Sequence, residues 1–171
     1  LIAGQWGKAI GARMIGVAGG PEKCALAKEH GYEEVIDRKN ENVVARVKEL
    51  TEGNGVPVVY DSVGKDTFEQ SVECLSPRGY FISFGTTSGS VPPVDAAMLQ
   101  HKGSLYFTRP TLANYCAARH DLELSASRLF KMIANGAVKT KIGQRYELSD
   151  VVRSHLDLEA GKTFGSSILL P

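Results

Sequence analysis

The chain has 171 residues, 43% of them hydrophobic and 23% charged, with a formal net charge of +1. That is enough apolar material for one core, or one domain with part of a second. No apolar run approaches the roughly 20 residues needed to cross a bilayer, none reads as a secretory leader, and Lys and Arg are scattered, so composition gives no case for a membrane or nucleic-acid partner.

The chain opens on "LIAGQWGKAIG", where Ile2, Trp6 and Ala9 share one face of a helix that starts without a capping residue and closes at Gly11. "RMIGV" reads as a short buried strand, and Pro21 stands where the first turn of the next helix tolerates it. That helix runs to Gly31, "EEVID" follows as a strand, and "NVVARVKEL" is a helix with Val43, Val47 and Leu50 on one face. "VPVVY" is a strand closed by "DSVG", after which Phe68, Val72 and Leu75 mark a helix. "GYFISFG" is the next strand, "AAMLQHKG" a helix, and "SLYFT" a strand. Strand and helix alternate with glycines at the junctions, which predicts an α/β fold: a doubly wound parallel sheet with helices on both faces.

After Arg109-Pro110 the rhythm changes. "LELSASRLFKMIANG" is a long helix, "IGQRYEL" a strand, "SDVVRSHLDLEAG" a helix and "SSILLP" a last strand, so a boundary is expected near Ala118. Gly4 and Gly7 inside the first helix each cost roughly 0.5–1 kcal/mol relative to Ala, and nothing in the sequence shows what offsets this.

Cys24, Cys74 and Cys116 are odd in number and widely spaced, which is no disulfide framework and fits a reducing compartment such as the cytoplasm. Cys116 and His120 lie at i, i+4, but two potential ligands do not make a zinc site. A packed thiol and a surface imidazole account for them, and no metal is expected.

In an open α/β sheet, ligands bind beyond the carboxyl ends of the strands. A dinucleotide site there carries G-x-G-x-x-G after one strand and an acid at the end of the next. This chain has neither, and Gly19 and Gly20 stand where the acid is expected. A carboxylate there would accept from the ribose hydroxyls of NAD and repel the 2′-phosphate of NADP. Glycines leave room, Lys23 in the next helical turn supplies a cation, and the helix N-terminus adds N–H donors. Arg38, ending the following strand, is a second candidate cation. Both are equally readable as solvated surface charges. Ser62, Val63 and Gly64 of "DSVG", and Phe84 and Gly85 of "SFG", offer close backbone approach to a ligand or simply ordinary turns.

"GARMIGVAGGPEK", "VVYDSVGKDTFEQSVECLSPRGYFISFG", "KGSLYFTRPTL" and "GSSILLP" closely resemble the C-terminal half of the NADPH-dependent quinone oxidoreductases. These are the zinc-free, zeta-crystallin-like branch of the medium-chain dehydrogenase/reductase superfamily. The resemblance implies a Rossmann-type cofactor domain over residues 1–118, whose first strand and glycine loop precede the opening helix. It implies that residues 119–171 complete a catalytic domain begun earlier. Lys23 matches a lysine at the 2′-phosphate; Arg38 replaces a tyrosine near the adenosine. Ser62, Val63 and Gly64 match a segment beside the adenosine and ribose, and Phe84 and Gly85 one passing the middle of the cofactor. Thr108, Arg109 and Pro110 match the stretch by the nicotinamide, and Lys162 a terminal loop reaching back to the cofactor. A homodimer paired through the edge strand Leu105–Thr108 is likewise implied.

The function so implied is hydride transfer from NADPH to a quinone or another α,β-unsaturated carbonyl compound. No side chain stands out as general acid, nucleophile or metal ligand, so no catalytic residue is named. A neighbouring alternative is reduction of an enoyl thioester. From a different class, a non-catalytic NADPH-binding protein with a structural or RNA-binding role fits the resemblance, though the near-neutral charge argues against RNA.

Overall fold

The computed structural model describes residues 1–171. Helices α1 (Ile2–Ala9), α2 (Pro21–Glu29), α3 (Val43–Leu50), α4 (Phe68–Glu73) and α5 (Ala96–His101) alternate with strands β1 (Ile15–Ala18), β2 (Glu34–Asp37), β3 (Val56–Asp61), β4 (Leu75–Ser83) and β5 (Tyr106–Thr108). They are followed by α6 (Leu112–Tyr115), α7 (Arg119–Ala134), β6 (Ile142–Glu147), α8 (Val151–Glu159) and β7 (Ser166–Leu170). The chain forms two compact units, one made of Leu1–Val35 with Ser127–Pro171, the other of Ile36–Ala126. No helix is long and apolar enough to cross a membrane.

The expected α/β alternation and parallel pairing are present. β3, β4 and β5 form a parallel sheet in that order, β6 pairs in parallel with β7, and β1 pairs with β2. The strands thus fall into three separate sheets rather than one continuous one. β5 lies at an edge of its sheet, as its sequence predicts.

Local chemistry sets the element ends. Gly20, at φ 97°, turns the chain into α2, and Pro21 takes its first position. Asn42 accepts from Ala45 N at 2.9 Å to start α3, and Asp95 accepts from Ala97 N at 3.1 Å to start α5. Val43 and Val47 then bury one stripe of α3. In the second unit, Phe68 and Val72 of α4 pack on Leu75, Phe81 and Leu105. The rings of Phe68 and Phe107 lie 5.3 Å and 5.5 Å from that of Phe81, so three aromatics knit α4, β4 and β5 together.

Three expectations need correction. Leu75, expected on a helix, opens β4, because α4 stops at Glu73 and Val56 N donates to Cys74 O. The buried positions of α1 are Gly4 and Gly7, while Ile2 is 43% exposed. A Cβ on Gly4 would run into the Tyr32 ring and the His30 carbonyl, and one on Gly7 would meet Met14 at 2.5 Å. Close approach of chain to helix is therefore what offsets the helical cost of these glycines. Finally, α6 has no counterpart in the sequence reading; Thr111 starts it by accepting from Asn114 N at 3.3 Å.

Between Val56 and Val58 the β3–β4 register shifts, and residues 76–79 loop out of the ladder. Arg78 lies there at φ 61°, exposed, with its N–H donating to Gly103 O at 2.7 Å. A left-handed non-glycine costs roughly 1–2 kcal/mol, while glycine loses roughly 0.5–1 kcal/mol more backbone entropy on folding. Arg78→Gly is therefore expected to stabilise the protein by about 0.5 kcal/mol or more in urea denaturation. A loss of stability would show that the arginine side chain contributes more than its backbone costs.

Candidate functional site

β3 ends on a buried carboxylate. Asp61, 5% exposed, accepts from Val63 N at 2.8 Å and Gly64 N at 2.9 Å through one oxygen. Its other oxygen accepts from Thr67 Oγ1 and Ser71 Oγ, both at 2.7 Å. Burial alone would raise its pKa; the hydrogen bonds from Thr67, Ser71, Gly64 and Val63 outweigh burial and hold it below the usual carboxylate value. One charge thereby fixes the Ser62–Gly64 turn and the first turns of α4.

The ends of β3, β4 and β5 are laced together. Phe84 N donates to Asp61 O at 2.9 Å, Thr87 Oγ1 to Ser62 O at 3.0 Å, and Ser88 N to Val63 O at 2.8 Å. A Cβ on Gly64 would collide with the Gly89 carbonyl, and one on Gly85 with the Ser62 carbonyl. Gly64 also sits at φ 95°. Both glycines are thus required by chain packing against chain. Arg109 Nη1 donates to the wholly buried Ser83 Oγ at 3.2 Å and to Gly85 O at 3.3 Å, tying the end of β5 to that of β4. Ser62, Val63, Gly64, Phe84, Gly85, Thr108, Arg109 and Pro110 therefore lie at one end of one parallel sheet. Phe84 is 55% exposed and touches Tyr60 edge-on, with centroids 6.3 Å apart.

In the other unit, Gly19 and Gly20 lead into α2, whose start has no side-chain cap. Lys23 is half-buried, and its Nζ donates to Gly161 O at 2.6 Å. It borders a cavity of about 260 Å³ lined also by Val17, Ala18, Tyr32, Thr163 and Phe164. Lys162 is exposed, with Nζ 3.5 Å from Asp157 Oδ1. Lys23, Gly19 and Lys162 thus belong to this unit, whereas Arg38, exposed after β2, belongs to the other.

Sequence reasoning named neither Asp61 nor Gly161 among the contact residues, although Asp61 opens one of the strand-end stretches. Asp61 left a signal: an acid closing an apolar run, with Gly64, Thr67 and Ser71 following at the spacings its two oxygens use. Gly161 acts through its carbonyl, which leaves none. Burial pushes the Cys74 thiol up to about 11, so this cysteine is no nucleophile.

A parallel α/β sheet with glycine-bearing turns gathered at its strand ends is the architecture of a dinucleotide-dependent dehydrogenase's cofactor domain. The family model for zinc-binding dehydrogenases matches residues 1–129, and the chain belongs to that family. Quinone oxidoreductase of Pseudomonas aeruginosa is 49% identical over 100% of this chain and 53% of its own length. A crystal structure of Escherichia coli quinone oxidoreductase complexed with NADPH superposes with a TM-score of 0.95 at 46% identity, covering 99% of this chain and 53% of that one. A 2-haloacrylate reductase from a Burkholderia species is 34% identical over 97% of this chain and 50% of its own length. The chain thus spans about half the length of the relatives it matches, and the sequence resemblance to quinone oxidoreductases is borne out. The family name carries zinc, yet no group of three or more His, Cys, Asp and Glu side chains in this chain is placed to hold a metal ion. This chain's residues therefore do not fit a zinc site.

Because the folded pKa of Asp61 is lowered, its stabilising contribution is complete above the unfolded carboxylate pKa and is lost as pH falls through the folded value. Asp61→Ala leaves four donors without their acceptor and is expected to cost about 3 kcal/mol. Asp61→Asn should flatten the acid limb of a stability-versus-pH curve measured by thermal melts. An unchanged acid limb would remove Asp61 from this role.

Proposed function

We propose that this chain forms the cofactor-binding part, residues 1–118, and a completing segment of the catalytic domain, residues 119–171, of an NADPH-dependent oxidoreductase. Its reaction is hydride transfer to a quinone or another α,β-unsaturated carbonyl acceptor, without a metal. The observation that carries the reading is Lys23 beside an uncapped helix start that follows two glycines. Bound NADPH would supply the hydride from its nicotinamide. The residues of this chain supply recognition and placement.

Lys23 holds the 2′-phosphate with the donors that its bond to Gly161 leaves over, for an ammonium has three. Gly19 and Gly20 put no carboxylate at the end of β1, and the first turn of α2 adds its N–H groups. Arg38 takes the place near the adenosine where some relatives have a tyrosine, and Lys162 lies on the terminal loop that reaches back to the cofactor. At the three-stranded sheet, Ser62, Val63 and Gly64 flank the ribose, Phe84 and Gly85 pass the centre of the cofactor, and Thr108, Arg109 and Pro110 flank the nicotinamide. Support for these roles comes from the strand-end gathering and from the NADPH-bound relative. Similarity to a 2-haloacrylate reductase favours a conjugated alkene as a second acceptor class, and an enoyl thioester is one such compound. The edge strand ending at Thr108 supports pairing of two copies through Leu105–Thr108.

In the intact protein, Lys23→Ala removes charge-assisted hydrogen bonds to phosphate and is expected to weaken NADPH binding by about 10- to 100-fold while NADH binding moves by less than about twofold. Titration calorimetry with both cofactors is the measurement, and equal losses would sink the assignment. Sedimentation at micromolar concentration should find a dimer; a wild-type monomer would rule out the pairing.

A further inference from the structure

We propose that the Gly161 carbonyl is a positioning group for Lys23, so that binding of a 2′-phosphate is coupled to the order of the C-terminal turn at residues 161–165. The proposal rests on the assignment of Lys23 to that phosphate.

All the groups involved lie in one compact unit. The bond from Lys23 Nζ to Gly161 O, at 2.6 Å, is short even for a charge-assisted one. Its acceptor is held rigidly. Gly161 N donates to Leu158 O and Lys162 N to Asp157 O, both at 3.0 Å, and Gly161 sits at φ 66°. That pair of bonds with a left-handed glycine is the Schellman closure of α8, and it turns the Gly161 carbonyl outward. The negative end of the helix dipole adds attraction for a cation.

The closed helix end is itself anchored. Tyr146 OH donates to Asp157 Oδ2 at 3.2 Å, which fastens α8 to β6. Ser166 N donates to Lys141 O at 3.0 Å, and Gly143 lies so close to the Phe164 carbonyl that a Cβ there would collide with it. The turn and Lys23 border one cavity, with Val17 and Ala18 on the side of β1 and Thr163 and Phe164 on the side of the turn.

A flexible lysine loses rotamer freedom when it captures an anion; one already bonded to a fixed carbonyl has lost it beforehand. Linkage makes the effect reciprocal: a phosphate that holds Lys23 in this place also stabilises the turn to which Lys23 is bonded. NADH, which lacks that phosphate, has no such hold. The turn therefore distinguishes the two cofactors without contributing a side chain to the distinction.

The test is hydrogen–deuterium exchange on the intact protein saturated with NADPH, NADH or adenosine 2′,5′-bisphosphate. NADPH and the bisphosphate are expected to slow exchange at residues 161–165 at least about fivefold more than NADH does, and Lys23→Ala should abolish the difference. Gly161→Ala provides a second readout. Its Cβ would lie 4.0 Å from Lys23 Nζ, an ordinary contact, so the change acts by straining the left-handed turn. It should raise KM for NADPH more than KM for NADH. Equal protection by NADPH and NADH, in a protein whose NADPH preference still depends on Lys23, overturns the coupling and leaves the cofactor assignment standing. A wild-type protein with no preference for NADPH overturns both.

Discussion

The strand-end architecture depends on the carboxylate of Asp61. Four donors converge on it, two from the backbone of the following turn and two from hydroxyls of the helix beyond. An ionised group at 5% exposure is tolerable only with such saturation, since an uncompensated buried charge costs several kcal/mol. The constraint then propagates. The position of Gly64 fixes where the 86–89 loop can cross it, and Ser62 O receives Thr87 from that loop. Phe84, bonded back to Asp61 O, begins the same loop, so β3 and β4 end in a jointly determined surface. That surface is built of backbone, which suits it to passing a ligand of fixed shape.

The tyrosine and methionine contacts of α1 follow a similar logic on a different scale. Gly4 and Gly7 give up helix propensity so that Tyr32, His30 and Met14 can reach the helix backbone. Gly31, between His30 and Tyr32, lies against Gly4 O, so two segments distant in sequence meet at a pair of residues without side chains. Burial on α1 is therefore placed by absent side chains: Ile2 is 43% exposed, and Ile10, just past the helix end, 65%.

This explains which features were legible in the sequence. Periodicity located α3 well, because Val43 and Val47 are buried by their own apolar surface and Asn42 is an ordinary cap. The same periodicity misread α1, where steric permission and not hydrophobicity chooses the face. Leu75 was assigned to a helix because its spacing from Phe68 and Val72 fits; it does join them in one core, but from a strand. Contact between these side chains was readable, the backbone that delivers them was not. At the candidate site, Lys23 and the glycines could be picked by charge and by the need for space. The Gly161 carbonyl could not, since a main-chain acceptor carries no residue-type signature and its direction comes from the closing of α8.

The two groups of candidate residues work by different physics, and this separates what each controls. Around Lys23 the discriminating quantity is charge: glycines in place of an acid, an ammonium, and a helix start, all of which act on a phosphate and fade with distance. At the ends of β3, β4 and β5, Arg109 spends its guanidinium on Ser83 and Gly85. What that surface offers is shape, fixed by Asp61 from beneath. Charge can favour one cofactor over another at any orientation within reach, whereas hydride transfer needs a near-contact geometry held to a fraction of an ångström. On the proposed reading, cofactor choice would rest on the Lys23 group, and placement for hydride transfer on the rigid strand ends. On that reading, substitutions that loosen the Asp61 turn would lower the rate with either cofactor, because they alter the surface that both would meet.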